Sequence, residues 1–400
     1  GLGAGSPAAQ RAPCAGRPRT WRADAAVLAG AAALGLGVYS RADFVLILAA
    51  TGAALALCWR DALLRTLRES RRLLLAALAV FVLAASPMLL ALTALLSTSS
   101  AMAERGSIDY RARVFWSVLD GSYFHRLMEL GGRFEAIFEV PAPATLFGPA
   151  VIVSAAALGA LALSRRPGRG AGTLAFLPIL CVLLAGAMVG LPGAVRAHHM
   201  LNLHPFVHML VAAAALALWQ HAWKSGRGRV AARSGIAASL ALLVLSNVSV
   251  VARTEALVNQ SGGRGRWSDA LSRFAAEIDQ RPADAPGTVV SLDWGFHEPL
   301  LFLTDRIQLV EPIWSIPHAL RRGHPWAHEG DALTVYLVHD EPYDLFGLGP
   351  DFLSAVRTLP SDRVEIREHL DREGAVSFLS VRFLGPHRLV YSGRFSLRLL

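Results

Sequence analysis

The sequence predicts a multi-span α-helical membrane protein with a C-terminal soluble α/β domain. Three observations carry this. The 400 residues are 54% hydrophobic but only 17% charged, against about 25% charged in a soluble globular chain. A series of apolar runs, separated by short polar segments, fills the first 250 residues. After residue 252 no run is long enough to span a bilayer, and short β-rich stretches alternate with helical ones.

The charge is partitioned in the same way. Residues 253–400 hold 16 arginines and 20 carboxylates, whereas 23 basic and 10 acidic residues precede them. The basic excess therefore belongs to the apolar part. It fits a positive-inside topology and gives no reason to invoke nucleic acid. Cys14, Cys58 and Cys181 form no disulfide framework.

Residues 1–24 read as a cytoplasmic linker or a truncated start. Residues 25–252 read as a transmembrane region of about seven helices. The runs are 25–39 and 44–59 (a short hairpin), 73–95, 147–163, 173–191, 204–219 and 235–251. Between them, residues 1–22, 60–72, 164–170 and 223–234 carry 4, 5, 3 and 4 basic residues, and alternation puts all four on one side. That side is then cytoplasmic. The turn at Arg41, the long polar loop 96–147, the segment at Arg196 and the domain 253–400 become extracytoplasmic. The expected location is the bacterial inner (cell) membrane.

In the last domain, helical spacing covers 267–278, 298–303 and 351–358. Strands are expected at 287–292, 306–310, 332–338, 363–368 and 376–383, and residues 388–400 fit no clear element.

The candidate site centres on Leu191–Trp219, where Arg196, His198 and His199 stand together before the apolar run that follows Pro205. A cationic and imidazole cluster at a membrane interface can hold a phosphate through charge-assisted hydrogen bonds. It can also simply anchor the span. Arg41, beside Asp43 at the hairpin tip, is a second phosphate contact or a snorkelling side chain. The long loop holds Glu104, Asp109, Asp120, Glu129, Glu135 and Glu139; Asp120 is flanked by aromatics, as in a sugar-handling loop. None is singled out as a base, so the catalytic residue is unknown. His204 and His208, at i and i+4, are the pair that a divalent metal could use, and no other cofactor is implied. Asp293-Trp294-Gly295-Phe296-His297-Glu298 ends a strand, where ligand sites of α/β folds gather, although a plain turn serves as well.

Three features together resemble one family. Gly35-Leu36-Gly37-Val38-Tyr39-Ser40-Arg41-Ala42-Asp43-Phe44 is similar to the hairpin of GT-C superfamily glycosyltransferases, with Arg41 where the family often has Lys. These are the polyprenyl-phosphate-sugar enzymes related to protein O-mannosyltransferases and the lipid A aminoarabinose transferase. Arg196-Ala197-His198-His199-Met200-Leu201-Asn202-Leu203-His204-Pro205-Phe206 is similar to the entry to a late span in that superfamily. The layout of spans, long outer loop and C-terminal domain is the third feature.

The resemblance implies inverting transfer of a sugar from a polyprenyl-phosphate-linked donor to an extracytoplasmic protein, lipid or polysaccharide acceptor. Arg41, Arg196, His198, His199 and Asp120 would bind the donor. The family's catalytic carboxylate, in the first outer loop, would lie upstream of Gly1. The alternative is a non-catalytic membrane subunit of cell-envelope polysaccharide assembly or export. A transporter is disfavoured, because no carboxylate falls at mid-span.

Overall fold

The computed structural model describes residues 21–41, 44–102, 107–134, 136–165, 169–190, 200–223, 228–281 and 287–400. The chain divides into two compact units, residues 1–119 with 147–240 and residues 120–146 with 241–400.

The first unit is helical. Among the described residues, six helices are long and apolar enough to cross a membrane. They are α1 (Trp21–Ser40), α2 (Phe44–Glu69), α3 (Arg71–Met102), α7 (Arg169–Gly190), α8 (His204–Trp223) and α9 (Arg229–Ser261); α9 continues into the second unit. A seventh apolar helix, α6 (Phe147–Leu163), has 17 residues. The polar helix α4 (Ile108–Leu119) completes this unit.

Large apolar side chains such as Leu83, Leu90, Leu163 and Val182 point outward. Lipid is the solvent that suits such a surface. Helices meet instead through small residues. A Cβ on Gly35 would lie 2.5 Å from the Phe81 carbonyl oxygen, so glycine there lets α1 lie against α3. Gly172 does the same for α7 against α2, beside Cys58 and Trp59, and Trp59 packs on Phe176 at 5.3 Å.

Each expected apolar run is helical; 147–163 has the bounds read for it, and the others extend further than read. The arginine-rich stretch 60–69 is not a loop: the backbone breaks at Trp59 (φ −140°, ψ 40°) and then resumes as helix to Glu69. Its arginines alternate with Leu and Ala, which are strong helix formers whether buried or not. The chain turns at Ser70 before α3.

The second unit is α/β. A five-stranded sheet runs in the order β2-β1-β4-β6-β5, from β1 (Gly287–Ser291), β2 (Ile307–Val310), β4 (Val335–His339), β5 (Val364–Leu370) and β6 (Val376–Phe383). β1 is parallel to β2 and to β4; β6 is antiparallel to both β4 and β5. Alternate residues serve opposite faces, as a period of two requires. Val289, Val335, Leu337 and Phe378 pack with Phe274 of α10 (Ala270–Asp279) and Leu300 of α11 (His297–Leu303). Val290, Tyr336, Val338, Val381 and Phe383 pack with Ile316 of α12 (Ser315–Arg321) and with Phe352 and Val356 of α13 (Leu348–Val356). Helices on both faces of the sheet make this a three-layer α/β unit.

The closing residues, unassigned in the sequence, form two strands. β7 (His387–Tyr391) and β8 (Phe395–Leu399) pair with β3 (Trp326–Gly330) in a separate antiparallel sheet of order β3-β7-β8. Leu389 and Phe395 insert into the second core face.

Much of the expected outer loop belongs to this unit. α5 (Ser122–Glu129) and the Gly131-Gly132 turn dock on residues 262–268. Arg266 N–H donates to the Gly131 carbonyl at 3.0 Å. The Arg264 guanidinium bridges Glu129 (2.5 Å) and Glu373 (2.7 Å). Gly131 has φ +63° and a Cβ there would meet the backbone of Arg264 at 2.8 Å, so close approach and backbone shape both require glycine.

Candidate functional site

The carboxyl ends of β1 and β4, neighbouring parallel strands, carry a buried polar cluster of the α/β unit. β1 runs on through Leu292, whose N–H donates to the Leu337 carbonyl at 2.9 Å, and delivers Asp293 beside His339 at the end of β4. His339 Nδ1 lies 2.7 Å from Asp293 Oδ2. Arg266 Nη2 approaches the same oxygen at 3.5 Å, and its Nη1 donates to the Trp294 carbonyl at 3.2 Å. The backbone N–H groups of Trp294 (2.8 Å) and Leu345 (3.2 Å) also donate to the carboxylate.

All three side chains are interior: Asp293 is 0%, His339 3% and Arg266 7% exposed. A buried charge survives only when paired and hydrogen-bonded, and Asp293 meets that condition in every direction. Burial pushes the His339 imidazole below its ordinary range, with the Asp293 charge opposing. The Phe296 ring, stacked 4.0 Å from it, is part of that dry wall. Burial also depresses Arg266. Asp344 next door is raised by burial and then by the Asp293 charge, against N–H donors from Gly349, Gly347 and Phe346.

Enclosed in this way, the triad ties three loops together. A substrate would instead meet what lies above it. Trp294 is 36% and Trp314 45% exposed; Trp267 meets Trp294 edge-on at 6.2 Å, and Phe346 meets Trp314 at 5.8 Å. Trp314 Nε1 donates to Glu311 at 2.7 Å. Exposed indole faces with acceptors beside them can stack on a ring that is apolar on one face and hydroxylated at its rim.

The residues singled out in the sequence fare differently. Arg41 is exposed at the turn after α1, where its N–H donates to the Gly37 carbonyl and its carbonyl accepts from Phe44. Asp43, Arg196, His198 and His199 lie outside the described residues. Asp120 is buried; its Oδ1 accepts the Ser122 N–H at 2.9 Å and its carbonyl accepts the Thr145 N–H at 2.7 Å. It thus closes the base of the 120–146 segment. Arg41 belongs to the helical unit and Asp120 to the α/β unit. His208 Nδ1 faces the His204 carbonyl oxygen at 2.6 Å, and both rings pack on Phe147. Among the described residues no three His, Cys, Asp or Glu side chains are grouped to hold a metal ion.

Asp293 was marked in the sequence as a strand end. Its partners Arg266 and His339 were not, although His339-Asp340 also follows an apolar strand and so repeats the pattern of Asp293. No family model, curated protein or solved structure matches the chain, so its fold and candidate site rest on the chain's own residues.

Proposed function

We propose that the protein is a GT-C-like membrane glycosyltransferase, or part of one, using a polyprenyl-phosphate-linked sugar at the extracytoplasmic face of the bacterial inner membrane. One observation carries the reading: the order of the apolar helices. If α1, α2, α3, α6, α7, α8 and α9 each cross once, the turn at Arg41, the segment with Arg196, His198 and His199, and the α/β unit fall on one side. The arginine-rich segments at 60–72, 164–170 and 223–234 fall on the other. Cationic side chains at that outer interface suit a lipid phosphate.

In the transfer, an acceptor hydroxyl attacks the anomeric carbon and a carboxylate base takes its proton. The bond from that carbon to the phosphate oxygen breaks, and the polyprenyl phosphate leaves with the electron pair. Arg41 and Arg196 stabilise the charge of the leaving phosphate, assisted by His198 and His199. On this reading the Trp294 and Trp314 faces of the α/β unit serve the acceptor, a protein, lipid or polysaccharide.

The enclosed state of the Arg266–Asp293–His339 triad favours a second reading, a non-catalytic subunit for cell-envelope polysaccharide assembly or export. The test is transfer of radiolabelled hexose from synthetic polyprenyl-phosphate hexoses to endogenous acceptors, in membranes with and without the protein. Protein-dependent incorporation supports the enzyme. No incorporation with any hexose, together with loss of surface polysaccharide in a deletion strain, supports the subunit.

A further inference from the structure

A second polar arrangement lies on the opposite end of the sheet from the aromatic rim, under the C-terminal end of α10. There a small cavity of about 60 Å³ opens over β5 and β6. This is several times the ~15 Å³ that one water needs, room enough for the oxygens of one tetrahedral ion. Its floor is His369 and Ser380, 7% and 9% exposed, joined Nε2 to Oγ at 2.8 Å. His369 lies flat on Phe378 at 4.3 Å. Burial pushes its pKa down to about 4, so the floor is uncharged at neutral pH.

The walls are charged and unbalanced. Arg367 makes a two-pronged pair with Glu277 at 2.6 and 2.9 Å. Arg382 Nη2 reaches Glu365 at 2.6 Å. That uses both carboxylates of the cavity and leaves one more guanidinium, Arg281, whose side chain makes no hydrogen bond or ion pair among the described residues. Arg382 also keeps a buried Nε with no acceptor. A buried N–H without a partner costs about 1–3 kcal/mol. The cavity therefore has one excess positive charge and an unused buried donor, which is the condition an anion relieves.

We propose that this cavity binds a tetrahedral oxyanion of the phosphate class, held by Arg281 and Arg382 over the His369–Ser380 floor. The source of the phosphate is either a soluble phosphate or the headgroup of an anionic lipid. The site is separate from the donor site of the glycosyl-transfer reading and stands whether or not that reading holds.

The experiment is isothermal titration of the purified full chain in detergent with inorganic phosphate, at constant ionic strength and pH 7.5. Saturable binding is expected. Arg281→Gln should weaken it about tenfold, the loss of one charge-assisted bond, without moving the unfolding midpoint, because that side chain holds nothing else. Glu365→Gln, which releases Arg382, should tighten it. Absence of saturable binding, or binding indifferent to both substitutions, would overturn the proposal. A repeat in nanodiscs with and without phosphatidic acid separates the sources. Competition by the lipid identifies a headgroup site and lack of competition a soluble phosphate, and either supports the cavity as the binding site.

Discussion

His339 Nδ1 and Asp293 Oδ2 stand 2.7 Å apart at the ends of neighbouring parallel strands, each side chain almost wholly removed from water. Removing the carboxylate leaves the buried Arg266 charge without its counter-ion and two backbone N–H groups without an acceptor. Breaking a buried pair in this way costs about 3–5 kcal/mol. Asp293→Ala should therefore lower the urea midpoint of the α/β unit sharply, followed by the fluorescence of Trp267 and Trp294. A midpoint within error of the parent would mean the triad holds nothing together.

Acid should weaken the α/β unit before its carboxylates titrate. The His369 imidazole is pushed from an ordinary 6.5 down to about 4 in the fold, and burial lowers His339 and His387 in the same direction. Between pH 6.5 and 4 the unfolded chain takes up protons that the folded one refuses. Stability is thus complete above about pH 6.5 and declines as pH falls toward 4, by at most roughly 3 kcal/mol for His369. His369→Gln should flatten part of that decline in unfolding curves taken from pH 7.5 to 4. A slope unchanged by the substitution would rule out His369 as a source.

Glycine at position 35 is a packing requirement of the helical unit, not a flexibility device. A Cβ there would meet α3 at 2.5 Å, whereas one on Gly30 would meet nothing within 4 Å. Gly35→Leu should lower heat stability in detergent by the equivalent of about 1–3 kcal/mol, and Gly30→Leu should leave it unchanged. Size-exclusion profiles of heated samples give the comparison, and equal behaviour of the two variants would contradict the α1–α3 contact.

Fold class was legible because its signals are local and strong. Long apolar runs, and short continuous apolar stretches such as Val289–Val290 and Val335–Val338, need no tertiary information. Two things were hidden. The residues of 60–69 are polar enough for a loop yet good helix formers, so composition misdirected the reading. The strands at 387–391 and 395–399 form a short hairpin, and the strand at 326–330 joins it from more than fifty residues away; each alone is too short to announce itself. The triad shows the same limit. Asp293 follows an apolar strand and was visible, but Arg266 comes from a turn whose place is set by Gly131 and Gly132. No spacing in the sequence connects them.

The proposed activity depends most on Arg196. The decisive measurement is sugar transfer from a labelled polyprenyl-phosphate hexose by membranes carrying the parent or the Arg196→Ala protein, with membrane insertion checked by alkaline extraction. Transfer should fall by at least about 100-fold, the cost of removing a charged contact to the leaving phosphate, while the variant remains in the membrane pellet. Undiminished transfer by a fully inserted variant would contradict the assignment of Arg196 to the donor phosphate.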